Sequence, residues 1–187
     1  MKPLLRFDRV TCRRGGRLLF EDLELQLARG EALHLTGPNG SGKSSLIRLA
    51  AGLLRAESGR IDRSALALAD EHLALDRELP LRRALGFWGG KVDRAMDALG
   101  LAPLADVPVR LLSTGQAKRA TLARVAASSA SLWLLDEPLN GLDADGVERL
   151  GSLLASHMEQ GGAVLAASHG PLAGSWSRME LGAWPAR

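Results

Sequence analysis

The sequence predicts an α/β fold with a mainly parallel core sheet, and three observations carry that prediction. Ala32–Thr36 is a short, mostly apolar run that leads through a glycine-rich turn into a helical pattern. Residues 131–135 and Ala163–Ala167 are apolar without alternation, as strands covered on both faces are. Strand-like and helix-like stretches alternate along the chain, which implies crossover connections and parallel pairing. The 187 residues suffice for one domain with a sizeable core.

Taken in order, residues 4–11 and 18–27 alternate apolar and polar residues, the pattern of half-buried strands, with Gly15 and Gly16 in the turn between them. They form an N-terminal antiparallel β region. Residues 43–54 read as a helix with Leu46, Leu49, Ala50 and Leu53 on one face. From about Glu71 to Ala127 apolar residues recur at helical spacing, as in Val92, Met96 and Leu99. Gly86, Gly89, Gly90, Gly100, Pro103 and Pro108 break that stretch. It reads as a small helical subdomain (residues 71–127) inserted between two parts of the core, 1–70 and 128–187. Residues 146–160 form a helix with Val147, Leu150, Leu154 and Met158 inward, closed by Gly161 and Gly162.

Composition narrows the functional classes. Apolar residues are 46% and charged residues 24% of the chain, ordinary for a soluble globular protein. No apolar run approaches the roughly 20 residues of a membrane-crossing helix, and the N-terminus acquires charge too early for a secretory signal. The expectation is a cytosolic protein unless a partner holds it at a membrane. Cys12 is the only cysteine, which excludes an intrachain disulfide and a cysteine-based zinc site. The net charge of +3 invites a nucleic-acid reading. The basic residues are scattered, however, and no stacking platform or groove-reading motif accompanies them, so no nucleic acid is expected as partner.

Two motifs carry chemistry outright. Gly37, Pro38, Asn39, Gly40, Ser41, Gly42, Lys43 and Ser44 fit G-x-x-x-x-G-K-[ST] without mismatch. Glycines let backbone N–H groups converge on phosphate oxygens, and the following helix turns its positive end to the same place. Lys43 is suited to the β- and γ-phosphates of ATP, and the Ser44 hydroxyl to Mg²⁺. The second motif is the buried strand ending in Asp136 and Glu137. Asp136 is placed to hold Mg²⁺ through a water, and Glu137 to orient and deprotonate the attacking water.

A third segment, Leu112, Ser113, Thr114, Gly115 and Gln116, resembles the LSGGQ signature of ATP-binding-cassette (ABC) ATPases, with Thr114 in place of a glycine. By themselves these residues equally describe an ordinary helix start capped by Ser113. Other marks of that family follow in order. Asn140, Gly141, Leu142 and Asp143 resemble its D-loop, whose aspartate lies at a dimer interface. Ser168 and His169 resemble its switch region, whose histidine meets the γ-phosphate. His34 and His157 read as structural.

The resemblance spans essentially the whole chain and implies a P-loop NTPase of the ABC type, hydrolysing ATP with Mg²⁺ in a head-to-tail dimer. Each nucleotide would lie on Lys43, Ser44, Ser45 and Asp136 of one subunit, under Ser113, Thr114, Gly115 and Gln116 of the other. Two positions depart from the pattern. Where the family has a Q-loop glutamine this chain has Asp70, Glu71, His72 and Leu73, so His72 or Glu71 would stand in at the Mg²⁺. No tyrosine is present to stack on adenine, and Arg14 would offer a guanidinium plane instead.

Within the family the chain looks like the ATP-binding subunit of the bacterial haem exporter of cytochrome c maturation, the CcmA type. Gly146-Val147, the run from Glu159 to Val164, His169 to Leu172, and Glu78-Leu79-Pro80-Leu81 with Phe87-Trp88 carry that likeness, as does the short tail after His169. It implies integral-membrane permease subunits of that system as partners and a peripheral place on the cytoplasmic face of the inner membrane. ATP hydrolysis would then be tied to haem export or to release of a haem-loaded chaperone. No Cys-x-x-Cys-His and no axial ligand pair suggest direct haem binding. Phe87 and Trp88 read as docking surface or as core. The alternatives are the ATPase of another small ABC transporter or an ABC ATPase acting on DNA or ribosomes. Residues 46–111 leave no room for the coiled coil typical of the latter. A P-loop kinase would not need the signature segment.

Overall fold

A computed structural model describes residues 2–182. Two sheets form its frame. The N-terminal sheet is antiparallel, in the order β2 (Arg17–Leu27), β1 (Leu5–Arg14), β4 (Ser58–Arg63). The core sheet has five strands, β5 (Leu66–Ala69), β6 (Leu132–Asp136), β7 (Ala163–Ala167), β3 (Ala32–Thr36) and β8 (Ser177–Glu180), every neighbouring pair parallel. The helices are α1 (Lys43–Ala51), α2 (Leu81–Gly86), α3 (Val92–Ala98), α4 (Thr114–Ala127) and α5 (Ala144–Glu159).

The absence of alternation in β6 and β7 has the physical cause expected of it. Trp133, Leu135, Val164 and Ala166 enter an apolar cluster shared with α2 to α5. Leu132, Leu134, Ala163, Leu165 and Ala167 point the other way, into a cluster shared with α1 and the antiparallel sheet. Side chains alternate between two cores rather than between core and water. The helical stretch adds Leu81, Leu85, Met96, Leu99 and Ala123 to the first of these clusters, so it is packed against the sheet and not set apart from it. Arg124 of α4 ties the two together: its guanidinium donates to the Leu68 carbonyl at 2.6 Å and lies 4.8 Å from the Trp88 ring centroid.

Several boundaries differ from the sequence expectation. The first helix ends at Ala51, because Gly52 adopts a left-handed conformation (φ 78°) and returns its N–H to the Arg48 and Leu49 carbonyls. Leu53 therefore leaves the helix and is 67% exposed, while Leu46, Leu49 and Ala50 are buried as expected. The last helix starts at Ala144, two residues early, since Asp143 caps it by accepting the Gly146 N–H at 2.8 Å. Of its expected inward face, Leu150 and Leu154 are buried, and Val147 and Met158 only half-buried. Strands β4, β5 and β8 were not legible. β4 and β8 are short edge strands with polar sequences, held by backbone pairing.

Candidate active site

The strand order brings the carboxyl ends of β3, β6 and β7 side by side, where ligands of open α/β sheets sit. The loop after β3 is glycine-dependent at its base. Gly37 has φ 136°, and a Cβ there would run into the Leu181 carbonyl beyond β8. Gly42 (φ 104°) precedes α1 and lies against Leu19 and Phe20 of β2. The Lys43 ammonium donates to the Gly37 and Pro38 carbonyls at 2.8 and 3.1 Å, folded back into its own loop. The Ser41 hydroxyl is buried in the loop with no hydrogen-bond partner among the described residues. Both features fit a phosphate-bearing ligand.

β6 ends in Asp136 and Glu137. Burial pushes the Asp136 carboxyl above the ordinary aspartate range, opposed by the Ser44 hydroxyl beside it. A hydroxyl and a carboxylate are the hard oxygen donors that Mg²⁺ takes, with waters and phosphate oxygens completing its octahedron. Among the described residues no cluster of three or more His, Cys, Asp or Glu could hold a metal. Glu137 takes a positive φ of 47°, and its N–H donates to the Ala167 carbonyl at 2.8 Å. That turn directs its carboxylate at the end of β7. There Oε1 lies 3.5 Å from His169 Nε2, and the His169 N–H donates to Oε2 at 3.4 Å. Arg9, Asp22 and Ala74 share a positive φ, but of the four only Glu137 stands at the carboxyl end of a core-sheet strand, where such strain is common at functional positions.

An open cleft of about 430 Å³ is lined by Asn39, Gly40, Gly42, Lys43, Ser44, Ser45, Glu137 and His169, with Arg14 and Leu19 on its outer wall. Arg14, proposed from a gap in the motif pattern, thus reaches the phosphate loop from the end of β1. His34, expected to be structural, is buried, and its Nε2 lies 2.9 Å from the carbonyl of Ser168, the residue before His169.

The signature segment is realised as a helix start. Ser113 Oγ accepts the Gln116 N–H at 3.3 Å, and Gln116 Oε1 accepts the Ser113 N–H at 2.9 Å, a reciprocal capping box. Gly115 is held small, since a Cβ there would come 3.0 Å from the Gly141 carbonyl. Signature and D-loop are therefore packed on each other within one chain.

Comparison with known proteins fits this geometry. Residues 20–140 match the profile of the ABC transporter family. This chain belongs to the ABC transporter family. Among its relatives is the cytochrome c biogenesis ATP-binding export protein CcmA of Sphingopyxis alaskensis, 59% identical over 181 residues, with 92% of this chain and 93% of that protein covered. The namesake protein of Novosphingobium aromaticivorans is 58% identical over 168 residues, covering 88% of this chain and 87% of its own length. An ABC transporter ATP-binding protein from Pyrococcus furiosus has the same fold, with a TM-score of 0.82 at 18% identity over 95% of this chain and 96% of its own. The structure of cbiO1 from Clostridium perfringens, part of the cbiONQ transporter complex, superposes with a TM-score of 0.76 at 25% identity, covering 91% of this chain and 80% of that one. This ABC transporter protein is accordingly an ATP-binding and ATP-hydrolysing subunit. Among the described residues no helix is long and apolar enough to cross a membrane.

One of the two departures from the ABC pattern, at residues 70–73, separates Glu71 from His72. A second open cleft, beside the first, is lined by Ser44, Arg48, Asp70, Glu71, Lys118, Asp136 and Glu137. His72 does not join it. Its side chain is 70% exposed and turns to Asp70, with Nδ1 3.2 Å from Oδ2. The carboxylates are brought in instead, because β5 pairs with β6 in the register Leu66↔Leu132 to Ala69↔Leu135, which sets Asp70 beside Asp136. The signal was present: Leu-Ala-Leu-Ala-Asp at residues 66–70 repeats the apolar-run-to-acid pattern of residues 132–136. Lys118, also unanticipated, faces Asp136, Glu137 and Asp70 from α4, and burial pushes its ammonium below the ordinary lysine range. Phe87 is 83% and Trp88 41% exposed, which removes both from the core.

Proposed function

We propose that this chain is the ATPase subunit of a haem exporter in bacterial cytochrome c biogenesis, bound peripherally to its integral-membrane permease subunits at the cytoplasmic face of the inner membrane. The observation that carries the assignment is its 59% identity, over nearly all of both chains, to a cytochrome c biogenesis ATP-binding export protein. Exposed Phe87 and Trp88, paired edge to face, suit a permease-docking surface on the 71–127 lobe.

In this reading the phosphates of ATP lie on the loop N–H groups and the Lys43 ammonium, which exchanges its two carbonyl partners for phosphate oxygens. Ser45 supports the same cradle and Arg14 stacks beside the base. Ser44 and Asp136 would hold Mg²⁺, which would supply charge neutralisation at the phosphates. Glu137 accepts the proton of the attacking water, and His169 holds Glu137 and the terminal phosphate in one arrangement. The nucleotide lies between two copies. A partner's Ser113 hydroxyl, already accepting its cap hydrogen bond, keeps its own O–H free to donate to the γ-phosphate, and Asp143 marks the seam between them. Closure of the dimer excludes water and completes the site.

Deleting the gene and staining for covalently attached haem tests the assignment. The expected result is loss of c-type cytochromes, restored by the wild-type gene and not by Lys43→Ala. Unchanged cytochromes c would overturn haem export and leave the ATPase standing.

A further inference from the structure

A third recess lies at the opposite end of the core sheet, among the segments that lead into β3, β6 and β7, and no step of ATP hydrolysis uses it. It encloses about 410 Å³. Four cations line it, Arg29, Lys91, Arg94 and Arg149, and no carboxylate does. Arg149 is paired with Asp145 at 2.7 Å, whereas Arg29, Lys91 and Arg94 form no ion pair among the described residues.

The recess has an aromatic wall. The indole of Trp133, only 5% exposed, stacks on the imidazole of His157 with centroids 3.7 Å apart and planes 9° from parallel. Trp133 Nε1 is buried without a hydrogen-bond partner, and the His157 ring packs over Gly162 beside the backbone of Ser131 and Ala163. A buried indole N–H without an acceptor is rare in folded chains. Burial pushes His157 below the usual imidazole range, so the ring brings no charge of its own at neutral pH. Free cations beside a flat aromatic wall select an anionic group on a planar apolar body.

We propose that this recess binds a small organic anion, a phosphate or carboxylate carried on a flat apolar body, between Lys91 and Arg94 at the start of α3 and the Trp133–His157 stack. Trp133 sits on the strand that ends in Asp136, so an occupant would touch the strand that carries the metal ligand without entering the nucleotide cleft.

The test uses the full chain saturated with Mg-ADP, so that the phosphate loop is filled. Phenyl phosphate and, in a separate arm, phenylacetate are titrated while tryptophan fluorescence is followed. A saturable change with either is expected, and the tighter of the two names the anionic group. Lys91→Glu with Arg94→Glu, both exposed positions, is expected to weaken that binding about tenfold or more, with Mg-ADP affinity unchanged. Arg29→Glu, on the facing wall, gives the same readout should the double variant fold poorly. Trp133→Phe is expected to remove the optical change and, by calorimetry, to lower affinity. No saturable response to either probe below about 10 mM, or equal binding by the charge-reversed variants, would overturn the proposal.

Discussion

The phosphate loop and the signature segment are both turns that open a helix, yet they stand in opposite conditions. The loop is enclosed by its own chain: Lys43 is 7% exposed, Gly37 is pressed under Leu181, and Gly42 under Leu19 and Phe20. The signature is self-contained and bare. Its capping box satisfies its local hydrogen bonds, while Ser113 and Thr114 remain exposed. A helix start with its hydroxyl at the surface and its positive end unopposed is half of an anion site. In the proposed dimer, one protomer would build the floor of the site and offer, elsewhere, the lid for another.

The sharpest way to break that comparison is by mixing two inactive variants. Lys43→Ala is expected to abolish tight ATP binding and lower turnover by about a hundredfold or more. Ser113→Ala is expected to lower turnover strongly as well, with helix stability reduced by about 1 kcal/mol from loss of the cap. If floor and lid come from different protomers, an equimolar mixture recovers activity, because each mixed dimer holds one site with Lys43 and Ser113 both intact. A mixture as inactive as its parts would place both in one chain and sink the half-site reading.

Glu137→Gln separates chemistry from assembly within the same site. Turnover is expected to fall about a hundredfold or more while ATP affinity persists and a closed dimer accumulates, measured by light scattering. Near-normal turnover would remove Glu137 as the base.

Asp136→Asn acts on the floor alone. Burial raises the Asp136 pKa in the folded state. Such a group favours folding only below its unfolded pKa, and the contribution is lost as pH rises through the raised folded value. At neutral pH the ligand-free chain therefore carries a charge that opposes folding. The variant is expected to melt higher by about 2 °C at pH 7 and by less at pH 4, while losing Mg²⁺-dependent ATPase. An unchanged or lower melting point at pH 7 would contradict the burial cost.

The smallest effect is expected at His72. Its ring is exposed and outside the cleft, so His72→Gln should leave ATPase within about twofold of wild type. Asp70→Asn, beside Asp136, should change it more. The reverse order would return His72 to the site.

Much of the site was legible because its motifs are local. A phosphate loop needs glycines at fixed intervals and a helix directly after them, and these constraints act within eight residues. Likewise a strand buried on both faces must be apolar throughout, so β6 and β7 declared themselves and delivered Asp136, Glu137 and His169 to one edge. Leu53 was misplaced since its spacing is helical, but Gly52 ends the helix one residue earlier at little steric cost.

What the sequence by itself determined is the set of parts: the α/β alternation, the loop, the acidic strand end and the capped signature. Tertiary structure alone decided their neighbours. Strand pairing set Asp70 rather than His72 beside Asp136, since register fixes which residue is adjacent across a sheet. Packing of α5 over β6 brought His157 onto Trp133, and the hairpin of β1 and β2 carried Arg14 to the phosphate loop. Contacts between residues far apart in the chain depend on which faces must be buried together, and no periodicity within one segment reports that.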